Sequence, residues 1–390
     1  MMPGGVRSLL QALRFDGSPR AIPHLDQATL AFADRTQLTP LLTRFDLPQW
    51  ARAHADAVLA RNAIRVERVA AAYAEIANAF EHVVLKGFTH IPEFVDDPRL
   101  RTQYDLDLFV PPQHREAAWR TLLSLGYEPV RGMERLAMDH LPTMIRKTGW
   151  QWRGDYFDAE IPLAVEVHFQ FWDAATERVN PRGLEELWLR RRGSRLDPVD
   201  RLGYAALHLT RHLLRGNVRI FHVWELARFL NTHRDGEFWR TWRRQHPKSL
   251  RRLEAIAFLL AVQWFACEVP AEARCEMEAL PESVKRWFAL YGWSPVEAMF
   301  RPNKHELLLH LSLAGELEDR LRILCRRLLP GRLPAPVDAI HLPPEQMTIF
   351  RKIQERLRYL GYLTSRFAHH ARLLAPTLWS TLRWCLRSSR

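Results

Sequence analysis

Cysteine is scarce. The chain has four in 390 residues, at positions 267, 275, 325 and 385, and no pair stands in a CxxC spacing. That pattern argues against a disulfide framework or a cysteine-based zinc site, and it suits small apolar residues in a reduced cytosol. Long apolar runs are also lacking. The longest, Ala255 to Cys267, is too short to span a bilayer and carries Gln263, so no transmembrane segment is expected. Met1 to Gly17 contains no sustained apolar stretch of the kind a secretory signal needs, and a cytoplasmic location is the expectation. No internal repeat stands out. Acidic residues are outnumbered: 44 Asp and Glu face 56 Lys and Arg, a formal net charge of +12. Such a balance favours anionic partners, among them nucleotides, nucleic acid and phospholipid. The arginines, which far outnumber the lysines, are spread along the chain and not blocked, as a genome-wide base bias would also leave them.

What is present is an ordinary globular composition, 47% hydrophobic and 26% charged, with length for two or three packed units. Its organising stretch is Tyr104-Asp105-Leu106-Asp107-Leu108-Phe109-Val110. Leu106, Leu108 and Val110 alternate with Asp105, Asp107 and Phe109, the period of two of a strand with distinct faces. Asp105 and Asp107 then point the same way. Two like charges so close repel, and burial worsens the repulsion unless a cation joins them. An Asp-x-Asp strand is thus a candidate clamp for a hard divalent cation, Mg²⁺ or Mn²⁺. The plainer alternative is a surface strand with two solvated aspartates, which the apolar flanks disfavour.

Around this strand the chain alternates. Gln49 to Phe80 lacks Gly and Pro and reads as one long helix. Val83-Val84-Leu85 reads as a strand ended by Lys86-Gly87, a turn that can present backbone N–H groups and a cation to phosphate. A helix is expected from about Gln113 to Leu125, with Gly126 as its C-cap. Leu163 to His168 reads as another strand, with Glu166 and His168 on one face. Glu166 can supply a third carboxylate to the clamp, and His168 can orient it or touch substrate. Arg101, four residues before Asp105, is expected to offset phosphate charge. After about Asp173 the pattern is helical: Arg201 to Leu214, Phe221 to Leu230, Arg252 to Glu268, one amphipathic helix over Leu307 to Leu328, and a basic, aromatic helical tail from Gln346. His208 and His212 stand one helical turn apart, the spacing of two metal ligands. No nearby Cys or HExxH supports zinc, so packing or nucleotide contact is the expected role.

Leu85-Lys86-Gly87, then Arg101 and Asp105-Leu106-Asp107-Leu108-Phe109-Val110, then Leu125-Gly126-Tyr127 and Val165-Glu166-Val167-His168 together resemble the polymerase-β-type nucleotidyltransferases. More closely, they are similar to a family of uncharacterised bacterial nucleotidyltransferases that reads "LKG … R…DIDLLV … L…GY … VELHW". His208, His212 and Phe221-His222-Val223-Trp224-Glu225-Leu226 resemble that family's downstream helical pair. Phe169 replaces the usual Trp, Glu225 the usual Asp, and Lys86-Gly87 the Gly-Gly or Gly-Ser of the wider superfamily. The resemblance covers about Val83 to Leu230. It implies an α+β fold, with a small mixed-sheet nucleotidyltransferase core flanked by N-terminal and larger C-terminal helical regions. The expected divisions are a helical region over 1–82, the core over 83–173, a helical domain over 174–330, and a proline-rich linker with basic helices over 331–390.

It implies further that Asp105, Asp107 and Glu166 hold Mg²⁺ or Mn²⁺ and carry catalysis. Lys86, Gly87 and Arg101 would bind the nucleotide, and His140, His168, His208 and His212 would contact substrate. The implied reaction transfers a nucleoside monophosphate from an NTP to an acceptor and releases pyrophosphate. Relatives beside exopolysaccharide and peptide-modification genes favour a small molecule, sugar phosphate or peptide over RNA as acceptor. The alternative is an inactive member that binds a nucleotide or a protein partner. A basic RNA-binding module ranks last, because the strand motifs of such folds are missing. The basic, aromatic tail 366–390 suits either an anionic membrane surface or docking on the helical domain.

Overall fold

The computed structural model describes residues 2–17, 21–130, 139–328 and 348–386, and the proline-rich stretch expected as a linker lies outside them. Residues 2–280 pack into one compact unit and the remainder, from 281, into another.

The first unit is built on a five-stranded mixed sheet. In chain order the strands are β1 (Val83–Val84), β2 (Asp105–Phe109), β3 (Glu128–Pro129), β4 (Met144–Ile145) and β5 (Ala164–His168). Their spatial order is β1-β2-β5-β4-β3, and only the central β2–β5 pair is parallel. The alternation read from the sequence decides the faces. Leu106, Leu108, Val110, Val165 and Val167 form one buried face. It packs on Val69 and Ile76 of α1 (Gln49–Ala77) and on Ala118 and Leu122 of α2 (Arg115–Ser124). Each of the Val, Leu and Ile side chains contributes about 2 kcal/mol through removal from water. The other face carries Asp105, Asp107, Glu166 and His168. Beside them Phe109 stacks on Phe171 at 3.8 Å between ring centroids and packs near Tyr204 of α3 (Pro198–Arg215). The α+β expectation is therefore met. β4 was not legible: Met144–Ile145 lacks the longer apolar run that marks Val83-Val84-Leu85.

α3, α4 (Ile220–Thr232) and α5 (Lys248–Phe265) pack together as the helical part of this unit. Their junction holds a fully buried charged group. His246 Nε2 lies 3.0 Å from Asp200 Oδ1, and its Nδ1 lies 2.8 Å from Glu254 Oε1. Gly203 of α3 makes room: a Cβ there would come within 2.5 Å of the His246 ring and 2.6 Å of Glu254 Oε1. Burial disfavours the imidazolium, but the Glu254 and Asp200 carboxylates overcome it and push the pKa of His246 up to about 9. A pKa raised on folding gives stability that is complete below about 6.5 and is lost as pH rises through about 9. The expected result is a melting temperature that falls between those values, by an amount on the order of 3 kcal/mol in stability. Thermal melts of wild type and His246→Gln across this range check it; the variant should start lower and show a flatter pH dependence.

In the second unit, the helix expected over Leu307 to Leu328 is two helices, Glu306–Leu313 and Leu317–Leu328, with Ala314 extended and Gly315 between them. The tail forms one long helix, α6 (Ile349–Leu386). No helix among the described residues is long and apolar enough to cross a membrane.

Candidate active site

The site forms where the parallel β2–β5 pair sets Asp107 directly opposite Glu166. His168 is two residues further along β5, on the same face. Its Nε2 lies 3.3 Å from Asp107 Oδ1 and 3.9 Å from Glu166 Oε2, and its Nδ1 lies 3.5 Å from Asp139 Oδ2. Asp139 in turn is paired with Arg211 of α3. A buried chain thus runs Arg211–Asp139–His168–Asp107. Burial opposes the charged form of His168, but the hydrogen bond to Asp107 and the nearby Asp139 carboxylate raise its pKa to about 9. Asp107 is likewise desolvated, yet Lys86 and His168 hold its carboxyl well below the usual range. Thr143 Oγ1 donates to Glu166 Oε1 at 2.9 Å and fixes that carboxylate, whose Oε2 remains toward His168.

Lys86 reaches from the end of β1 to both aspartates of β2. Its Nζ is 3.0 Å from Asp107 Oδ2 and 3.3 Å from Asp105 Oδ2. Burial works against this ammonium, but Asp105 and Asp107 more than compensate and raise its pKa. Gly87 has φ +81°, and a Cβ there would come within 2.4 Å of the Gln103 side chain, which donates to the Asp105 carbonyl. The positive φ favours glycine at this turn, and a Cβ would also displace the Gln103 amide.

Among the described residues, the one group of three side chains close enough to hold a single metal ion is Asp107, Glu166 and His168, with ligand atoms within 4.8 Å of one another. Once His168 gives up its Nε2 proton, as a ligand nitrogen must, two carboxylates and an imidazole suit Mn²⁺ as well as Mg²⁺. Asp107 Oδ2 is buried with the Lys86 ammonium as its close partner, so the three side chains offer the donor set of a divalent ion, with Lys86 competing for Asp107. Asp105 stands outside that group, tied to Lys86.

The remaining predicted residues fall in two places. His140 lies against the site: its ring centroid is 5.1 Å from that of His168, and its Nδ1 lies 2.6 Å from the Leu141 carbonyl. Arg101 does not reach the aspartates. Its Nε donates to Glu225 Oε1 at 2.7 Å, deep in the unit, because Glu225 of α4 offers a buried counter-charge. His208 and His212 are 3.1 Å apart through their Nε2 atoms, and burial drives both below the ordinary histidine range, His212 to about 3. His208 lines a cavity of about 20 Å³ with Lys86, His90, Arg101, His222 and Glu225, room for about one water. A larger cavity of about 480 Å³ lies on the other side of Arg101 and Gln103, against α1, Phe88 and Ile91.

Four residues escaped the sequence reading: Asp139, Thr143, Arg211 and Arg219. Arg219 is exposed at the start of α4, and its charge is felt at Lys86, His212 and His222. No periodic pattern marks any of them.

A family model described as "Uncharacterised nucleotidyltransferase" matches residues 26–266, more than half of the chain. No curated protein and no solved structure matches.

Proposed function

Since the chain belongs to the uncharacterised nucleotidyltransferase family, we propose that it transfers a nucleoside monophosphate from an NTP to a small acceptor. The observation that carries this reading is the β2–β5 register, which gathers Asp107, Glu166 and His168 on one sheet face beside Lys86. In the reaction an acceptor oxygen bonds to the α-phosphorus, the bond from that phosphorus to the bridging oxygen breaks, and pyrophosphate leaves. The acceptor proton passes to solvent or to a carboxylate. Asp107, Glu166 and His168 would hold a divalent ion, which when bound neutralises phosphate charge and lowers the pKa of an acceptor hydroxyl.

The chain's own groups do the rest. Lys86 and Arg219 bring positive charge to the triphosphate. The negative charge of Glu166, fixed by Thr143, favours loss of the acceptor proton. Asp139 and Arg211 hold His168 in place. Pyrophosphate release with Mg²⁺ or Mn²⁺, each NTP and a cell-extract acceptor pool tests the reading.

One observation favours a second reading, a nucleotide-binding protein without turnover. Lys86 Nζ bridges Asp105 and Asp107 at the place the sequence suggested for a metal. In that case NTP binds and no pyrophosphate appears.

Arg219 gives a direct check on phosphate recognition. It is exposed, so Arg219→Ala should leave the fold intact while weakening NTP binding about tenfold, through loss of one charge-assisted contact. Calorimetry showing equal NTP affinity in both proteins would count against its role.

A further inference from the structure

The exposed apolar surface of this protein is concentrated on α6. Phe350, Ile353, Leu357, Leu360, Phe367 and Leu374 are each more than half exposed. They recur at steps of three, four and seven, so they form one stripe along the helix. The stripe continues through Leu378 and Leu382, and Trp379 beside it is 71% exposed.

The helix is docked in its own unit through a different face. Tyr291 Oη donates to the Ser380 carbonyl at 2.8 Å, Arg286 Nη1 donates to the Trp384 carbonyl at 3.3 Å, and His305 Nε2 lies 3.0 Å from Ser380 Oγ. Lys304 pairs with His370. Positions 370, 380 and 384 lie together on the wheel, away from the stripe, at about 100° per residue. Docking therefore leaves the apolar stripe outward.

Charge selects what covers it. Between Ile349 and Leu386 there are seven Lys and Arg residues and one acidic residue, Glu355. A second copy of the helix laid on the stripe would bring like charge against like charge, with no acidic residues to pair across the seam. An anionic lipid surface offers the opposite charge and an apolar layer at the same depth. An apolar stripe with Trp and Phe, basic flanks and low overall hydrophobicity is the pattern of a helix that lies in the membrane interface. We infer that α6 lies flat on an anionic lipid surface with its Phe350-to-Leu382 stripe in the acyl boundary. The inference is independent of the catalytic reading.

The test uses the full chain and sedimentation with phosphatidylcholine vesicles, with and without about 30% phosphatidylglycerol. Wild type should bind the anionic vesicles at least about tenfold more tightly than the neutral ones. The triple variant Leu357→Glu, Leu360→Glu and Leu374→Glu should lose at least about tenfold of that binding, because three exposed apolar contacts are gone. A charge variant, Arg358→Glu with Arg372→Glu, should lose the preference for anionic vesicles. Unchanged melting curves show that both variants fold, and pyrophosphate release should be unaffected. Absence of binding by wild type overturns the inference. So does binding that survives the apolar variant but not the charge variant, which would mark a purely electrostatic site for a polyanion such as nucleic acid. A concentration-dependent dimer in sedimentation velocity that the apolar variant abolishes would assign the stripe to a second copy instead.

Discussion

Asp107→Asn should remove nucleotidyl transfer, by about 1,000-fold or more, and should also destabilise the fold by on the order of 2 kcal/mol. Both effects come from the same geometry. Asp107 is 3% exposed and stands between two cations, with Lys86 Nζ at 3.0 Å and His168 Nε2 at 3.3 Å. A neutral amide leaves these two charges buried with one counter-charge fewer. Lys86 keeps Asp105 and His168 keeps Asp139, so the loss is smaller than for a fully orphaned charge. The variant should also lose any rise in melting temperature that Mg²⁺ or Mn²⁺ gives the wild type, because mass action needs a site. Chemical denaturation and pyrophosphate release, measured side by side, check the two effects. A variant of full activity would remove Asp107 from the site.

Glu166→Gln should behave differently. Glu166 is about a quarter exposed, and its one close hydrogen bond is to Thr143, which a glutamine oxygen can also accept. Stability should therefore change by less than about 1 kcal/mol. Turnover should fall about 100- to 1,000-fold, since the charge acts on the acceptor proton as it leaves. NTP affinity should change little, because Lys86 and Arg219 remain. A kcat loss with intact NTP binding places Glu166 at the chemical step. Equal turnover in both proteins would place it outside the site.

The contrast between these two carboxylates was only partly legible in the sequence. Alternation alone put Asp105 with Asp107 on one strand face and Glu166 with His168 on another, and the structure keeps both sets. What alternation cannot give is register. Nothing in Leu163 to His168 says that β5 runs parallel to β2 with Glu166 opposite Asp107 and not Asp105. That one step makes Asp107, Glu166 and His168 the close group and leaves Asp105 to Lys86. The long helices α1, α3 and α5 were readable because each has many turns of apolar period. β4, two residues long, has no period to read. Arg101 was expected at phosphate because it is near Asp105 in sequence. Its real partner, Glu225, is more than a hundred residues away. Asp139 and Thr143 were invisible for the same reason: they lie in irregular backbone and matter through contacts that only the folded sheet creates.

The most direct test of the central claim follows the phosphorus. Wild-type protein is incubated with Mg²⁺ or Mn²⁺, a small-molecule acceptor pool, and each NTP carrying label at either the α- or the γ-phosphorus. The account predicts that α-label enters an acceptor, that γ-label leaves as pyrophosphate, and that Asp107→Asn does neither. Transfer of the γ-label to an acceptor, or no transfer from any NTP with either metal, would contradict it.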